Sequence, residues 1–161
     1  MRNPEFQLRA ADAGDLAAIF DMFVQVQSIH AEAEPDFFRP PERDEAFEQY
    51  YEGIMNDPEQ FLVIALSGGA AAGHVQYFMG TRPKSIYRPE RRFAYIHQLV
   101  VSEDFRRTGC GTALIDHVKQ DARKQGIAML GIDFWSFNGP ARRCFESAGF
   151  KVNQEHMWQR L

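Results

Sequence analysis

The sequence predicts a single α/β (α+β) domain: a mixed, mostly antiparallel sheet with helices packed on both faces. Three observations carry this. The chain has 161 residues, enough for one ordinary domain. Apolar residues alternate at strand period in some stretches and recur at helical period in others, with Gly, Pro and Asp between them. The order of these stretches is strand, two helices, three strands, helix, strand, helix, closing strands.

Phe6 and Leu8 alternate with polar neighbours and mark a short first strand. Asp12 and Asp15 are spaced as a capping pair and open a helix whose apolar face is Leu16, Ile19, Phe20, Phe23 and Val26. Pro35, Pro40 and Pro41 interrupt it. A second helix carries Phe47, Tyr50, Tyr51 and Ile54, and Asp57 with Pro58 ends it. Phe61 to Leu66 is a continuous apolar run, hence a buried strand. Ser67, Gly68 and Gly69 turn the chain back into a partner strand from Ala70 to Met79. Thr81 to Arg92 reads as a polar, basic loop, and Phe93 to Val101 as the next strand. Leu114, Ile115, Val118 and Ala122 form one helix face, stopped by Gly126. Ile127 to Phe134 predicts another strand. Asn138, Gly139 and Pro140 start a short helix with Ala141, Cys144, Phe145 and Ala148 inward. Phe150 to Leu161 has room for one or two closing strands.

Composition excludes several classes. Hydrophobic residues are 45% and charged residues 25% of the chain, a globular balance rather than a disordered one. The formal net charge of -4 argues against nucleic acid as a partner. No apolar run is long enough to span a bilayer, and the charged start lacks the apolar stretch of a signal peptide, so no membrane partner is expected. Cys110 and Cys144 make no metal pattern and no CxxC, which points to free thiols in a reducing cytoplasm and to no metal.

The informative segment runs from Ile96 through Gln120. A strand enters a loop containing Arg106, Arg107, Thr108, Gly109, Cys110 and Gly111, and a helix begins near Thr112. Glycines let successive backbone N–H groups turn toward one point. The helix N-terminus adds partial positive charge there. Arg106 and Arg107 add full charges and paired donors. The sum is a pyrophosphate cradle. The nucleotide P-loop would need GxxxxGK followed by Ser or Thr, which the sequence lacks. The dinucleotide fingerprint GxGxxG fails at Leu114, although Asp133 falls near where a ribose-binding acid would sit. Ser102 to Thr108 also separate the strand from the first glycine. The pattern Arg/Gln-x-x-Gly-x-Gly/Ala between strand and helix fits Arg106 to Gly111.

With this motif the sequence resembles the GCN5-related N-acetyltransferase (GNAT) superfamily. A second signature of that family, Asn-x-x-Ala-x-x-Phe/Leu-Tyr/Phe-x-x-x-Gly-Phe, appears as Asn138, Ala141, Cys144, Phe145, Gly149 and Phe150. The two together are specific, and the element order extends the resemblance over residues 1–161 as one domain. The resemblance implies splayed central parallel strands, here Tyr95–Val101 and Met129–Trp135, with the acyl-CoA thioester in the V between them. Backbone groups of Leu99, Val100 and Val101 would hold the pantetheine arm and thioester, and Arg106 to Thr112 the pyrophosphate. Asn138, Ala141 and Phe145 would line the far side. The implied activity is acetyl-CoA-dependent transfer of an acyl group to a primary amine by direct attack. The alternative is a CoA-binding sensor or interaction module that has lost turnover. A homodimer is compatible with either.

A protonated amine cannot attack a thioester, and an amine of pKa ~10.4 is neutral about one time in a thousand near neutral pH. His97 precedes Leu99 on the strand and is the candidate base, directly or through water. AYIHQLVV resembles AHLHxLAV of the arylalkylamine N-acetyltransferases, with His97 at the second histidine and Tyr95 at the first. A packed strand histidine without a role is the competing reading. Family members often protonate the leaving thiolate with a Tyr where this chain has Phe145, so Tyr95 or Tyr77 is the candidate substitute. Cys110 and Cys144 lack a histidine partner and read as bystanders. For the acceptor, the resemblance points to His30, Glu32, Glu34, Asp36, Phe37 and Phe38, which otherwise read as a solvated loop pinned by two phenylalanines. Thr81 to Arg92 reads as a mobile basic loop.

Overall fold

A computed structural model describes residues 5–161. Five strands form one sheet in the order β1 (Gln7–Ala10), β2 (Gln60–Ser67), β3 (Ala70–Arg82), β4 (Arg91–Val101) and β5 (Leu130–Ile132). The first four pair antiparallel, and β4 pairs β5 in parallel. Helices α1 (Leu16–Ala33) and α2 (Glu45–Asn56) cover one face; α3 (Cys110–Lys124) and α4 (Gly139–Ser147) cover the other.

Local chemistry explains the element boundaries. Asp12 and Asp15 form the expected capping box, and Arg9 grips Asp15 through two bonds of 2.7 and 2.8 Å. The Arg9 guanidinium holds the Asp15 carboxyl below the usual carboxylate range. Asp44 caps α2 by accepting from the Phe47 N–H at 2.9 Å. The Asn138 side chain caps α4 at the Ala141 N–H, and Pro140 sits in the first turn.

Three expectations are corrected. The predicted strand Ile127–Phe134 shrinks to Leu130–Ile132, because the Ile127 N–H is taken by the α3 carbonyl of Ala122 and the chain leaves β4 after Ile132. The basic loop shortens to residues 83–90, since β3 and β4 continue pairing through Arg82 and Arg91. The closing strands do not form: residues 150–161 carry no strand. β5 offers only three residues of edge. The tail instead sets Trp158 against Phe37, ring centres 5.9 Å apart, and pairs Arg160 with Asp36.

A bulge in β4 positions the site. Ile96 faces Tyr77 on β3, and Gln98 faces Gln76, so His97 has no partner across the ladder. An extra residue flips side-chain parity. Before the bulge, Ala94 and Ile96 pack under α3; after it, Leu99 and Val101 do. Val100 joins the core under α1 and α2 instead. His97 and Gln98 consequently both reach the α2 face: His97 packs on Phe78, and Gln98 meets Tyr51 of α2.

Candidate active site

Pairing between β4 and β5 covers Ala94–Leu130, Tyr95–Gly131 and Ile96–Ile132 and then stops. β4 runs on to Val101, whereas residues 133–138 leave as a turn closed by the Asn138 N–H on the Trp135 carbonyl. The two segments therefore open into a V from His97 onward. Its β4 arm matches the expected strand. Its other arm is a turn rather than the strand to Trp135 that the family resemblance implies.

The cradle lies at the start of α3, against the β4 arm. Gly109 is the N-cap with φ 95°, and Arg107 also has positive φ, 63°. Alternating handedness in a short loop turns its N–H groups inward. A Cβ on Gly109 would meet nothing within 4 Å, so open space lies beside the helix N-terminus. That space is what a pyrophosphate needs. A Cβ on Gly111 would touch Cys144 Sγ and Val101 Cγ2 at 3.6 Å and Leu99 Cδ2 at 3.9 Å. The cradle, two of the three predicted β4 residues (Leu99 and Val101) and α4 thus converge at one point. Arg106 is half-exposed beside Glu103 at 3.5 Å, and Thr108 donates its hydroxyl to the Phe105 carbonyl at 2.6 Å. Thr112 is exposed on the first turn of α3.

Other predicted residues sit deeper. Val100 and Phe145 are core residues, with Phe145 between Phe134 and Phe150. Cys110 is buried, and burial pushes its thiol up to about 11; Cys144 is shifted upward by the same cause. Raised thiols stay protonated and make poor nucleophiles.

Tyr95 lies across Gly131 of β5. A Cβ there would come within 2.7 Å of the tyrosine ring, so the glycine makes room for it. Burial and the neighbouring Asp133 carboxylate raise the Tyr95 hydroxyl above the ordinary tyrosine range. It therefore keeps its proton, which excludes it as a base and leaves it a hydrogen-bond donor. Its ring centre is 5.8 Å from that of the exposed His97. Tyr77, the other tyrosine considered, is on the α3 face and donates to Asp121 at 2.8 Å, away from the V.

Beside His97 is a cavity of about 240 Å³ lined by Asp57, Glu59, Gln60, Phe78 and His97. A larger cavity, about 590 Å³, lies at the distant β1–β2 edge and touches none of these groups. The α1–α2 connection reaches the other arm of the V. Phe38 packs edge-on to Trp135 at 4.7 Å, and His30 lies 4.9 Å from Phe38 and 5.4 Å from Phe137. The His30 Nδ1 donates to the Val26 carbonyl at 2.8 Å.

Sequence reasoning missed a buried polar group beneath His97. Gln98 Oε1 accepts from the Tyr51 hydroxyl at 2.8 Å and from His74 Nε2 at 3.1 Å. His74 is fully buried, and burial lowers its pKa to about 4. Its Nδ1 is left with no partner, a cost of about 1–3 kcal/mol. Alternation along β3 places His74 in the sheet interior, but no local signal ties it to Gln98 or Tyr51.

The fold is that of a mixed α/β domain with helices on both faces of one sheet, and comparison with known proteins identifies its family. The model of the Acetyltransferase (GNAT) family matches residues 23–150, and the chain belongs to that family. It is 33% identical over 57 residues to the ribosomal protein bS18-alanine N-acetyltransferase of Escherichia coli K12. That match covers 35% of this chain and 38% of the relative, well under half its length. A tetramutant of the BH1408 protein from Bacillus halodurans superposes with TM-score 0.90 at 18% identity, over 96% of this chain and 99% of that one. Aminoglycoside N-acetyltransferase AAC(6')-Iy in complex with CoA superposes with TM-score 0.76 at 17% identity, over 99% and 97%. At such identities these two likenesses establish the fold.

Proposed function

We propose that the protein is an acetyl-CoA-dependent N-acetyltransferase that acylates a primary amine of a small molecule or protein. The observation that carries this reading is the V opening at His97 with the Arg107–Gly111 cradle at its β4 arm. The cradle and α3 N-terminus hold the pyrophosphate, and Leu99 and Val101 flank the pantetheine. Asn138 and Ala141 border the far side through the α4 cap.

In the ternary complex the amine nitrogen attacks the thioester carbonyl carbon, and the C–S bond breaks. His97 takes the proton that the amine must lose. A backbone N–H of the β4 arm at the carbonyl oxygen would be worth ~3 kcal/mol of transition-state stabilisation. The thiolate leaves without needing a proton in that step. Tyr95, held protonated, stabilises it by a hydrogen bond in place of the residue that Phe145 cannot supply, and the proton that His97 takes is released to solvent. Asp57 and Glu59, beside His97, favour a cationic acceptor. The named relatives are N-acetyltransferases of an alanine of ribosomal protein bS18 and of aminoglycosides, both amine substrates.

The test is thiol release from acetyl-CoA with a broad panel of amines. Amine-dependent release is expected. CoA at about 100-fold its Kd should stabilise the fold by ~2.7 kcal/mol. Stabilisation by CoA without thiol release for any amine would instead favour a binding module. A shift with NAD and none with CoA would overturn both.

A further inference from the structure

His97 and Gln98 are the first two residues of β4 beyond the end of its pairing with β5. They stand at the apex of the V, and the bulge turns both toward the α2 face. Gln98 is held unusually firmly there. Its carbonyl oxygen accepts two hydrogen bonds, from Tyr51 on α2 and His74 on β3. Burial raises the Tyr51 hydroxyl pKa and lowers that of His74, so the tyrosine stays a donor and the imidazole stays neutral. A neutral imidazole donating from Nε2 has a bare Nδ1, and that atom is the buried one without a partner.

The other end of the same carboxamide is free. Among the described residues no group accepts from Gln98 Nε2, and the only buried side-chain polar atom without a partner is His74 Nδ1. Gln98 Nε2 therefore reaches solvent, with two N–H donors fixed in direction by the oxygen at the other end. An arrangement that strands a buried imidazole nitrogen to fix one carboxamide is costly as packing alone.

We infer that Gln98 determines which acceptor is used, by donating to an oxygen on the substrate close to the reacting nitrogen. The substrate class is an amine with a hydroxyl or carbonyl oxygen one or two carbons from that nitrogen. This rests on the acyltransferase reading above. A site built to hydrogen-bond a substrate oxygen discriminates strongly against the analogue lacking it, because its own donors are then left unpaired. Tyr51 and His74 are positioning residues that act through Gln98.

The experiment measures kcat and KM for three acceptors: ethanolamine, glycinamide and propylamine. The first two supply the hydroxyl and the carbonyl, and the third supplies neither. The wild-type protein should prefer at least one oxygen-bearing amine over propylamine by roughly tenfold or more in kcat/KM, the worth of one well-made hydrogen bond. Gln98→Leu should reduce that preference to near unity by lowering the better substrates and sparing propylamine. Tyr51→Phe should reduce it partly, since it frees one of the two ties. CoA-induced thermal stabilisation, unchanged in every variant, is the folding control. Should Gln98→Leu fail that control, Gln98→Met and Tyr51→Phe carry the test. An unchanged preference in folded variants overturns the role of Gln98 and leaves the acyltransferase reading standing. Equal loss for all three amines also overturns it, because Gln98 would then serve the reaction rather than the choice. Absence of both CoA binding and turnover in the wild type removes the acyltransferase reading and this one with it.

Discussion

The two faces of the sheet are built from different materials. Under α3, the residues from β2, β3 and β4 are Val63, Ala65, Val75, Met79, Ala94 and Ile96, and they meet Leu114, Ile115 and Val118 in one apolar layer. Under α2, beside the apolar Leu62 and Val100, the same strands present Gln60, Gln76, His74 and Gln98 to Tyr50 and Tyr51. The first face fixes the position of α3, and through it the cradle at its N-terminus. The second face carries hydrogen-bonded groups whose geometry matters more than their burial. A packed apolar layer gives stability in proportion to area. A polar layer gives direction, at the cost of groups that must all be satisfied. On this reading, CoA binding depends on the α3 side and acceptor chemistry on the α2 side, and substitutions should separate the two.

The largest separation should come from the cradle. Gly111→Asp places a carboxylate among Leu99, Val101 and Cys144, where its Cβ makes only ordinary contacts. The fold should persist while CoA affinity, measured by calorimetry, falls by roughly 10²-fold or more. Gly109→Asp should lose affinity equally and some stability besides, because its φ of 95° suits glycine alone. Wild-type affinity in Gly111→Asp would put the pyrophosphate elsewhere.

A smaller effect is expected from acid. His74 is neutral when folded down to about pH 4, whereas its unfolded value is near 6.5. Between these values the unfolded chain binds a proton that the folded chain does not. Stability from this group is complete above pH 6.5 and is lost as pH falls toward 4, by on the order of 3 kcal/mol. His74→Leu should flatten that part of the stability–pH curve, measured by denaturant unfolding. An identical acid slope in the variant would mean that the imidazole is not the group responsible.

The smallest effect belongs to the apolar face. Tyr77→Phe removes the bond to Asp121 and should cost about 1 kcal/mol in unfolding free energy. It should leave turnover unchanged. A fall in kcat would bring Tyr77 back as the proton donor and blur the division between faces.

The division also explains what was legible beforehand. The α3 side could be read because its signals are local. Leu114, Ile115, Val118 and Ala122 recur at helical period, and Arg106 to Gly111 lie within six consecutive residues. Burial agrees with that face residue by residue. The α2 side depends on register, which is not local. Strict alternation from Ala94 and Ile96 would put Gln98 and Val100 under α3, and the bulge at His97 reverses this. The tie from Gln98 to Tyr51 spans 47 positions and that to His74 spans 24. Trp135 belongs to a strand only by the family resemblance, which implies Met129–Trp135. Its ring packs on Phe37 and Phe38 instead, in a turn that leaves the sheet. His97 was found from its place before Leu99, but that it stands where the ladder opens came only with the fold.

The most direct test of the central claim measures CoA affinity and turnover together in His97→Gln. The side chain lies outside the cradle, so calorimetric affinity for acetyl-CoA should match the wild type. With any accepted amine, turnover at saturating acetyl-CoA should fall by roughly 10²–10⁴, and the rise of rate with pH expected of the wild type should be absent. An unchanged pH–rate profile would make His97 a packing residue, and a joint loss of affinity and rate would mean that the two faces do not divide the work.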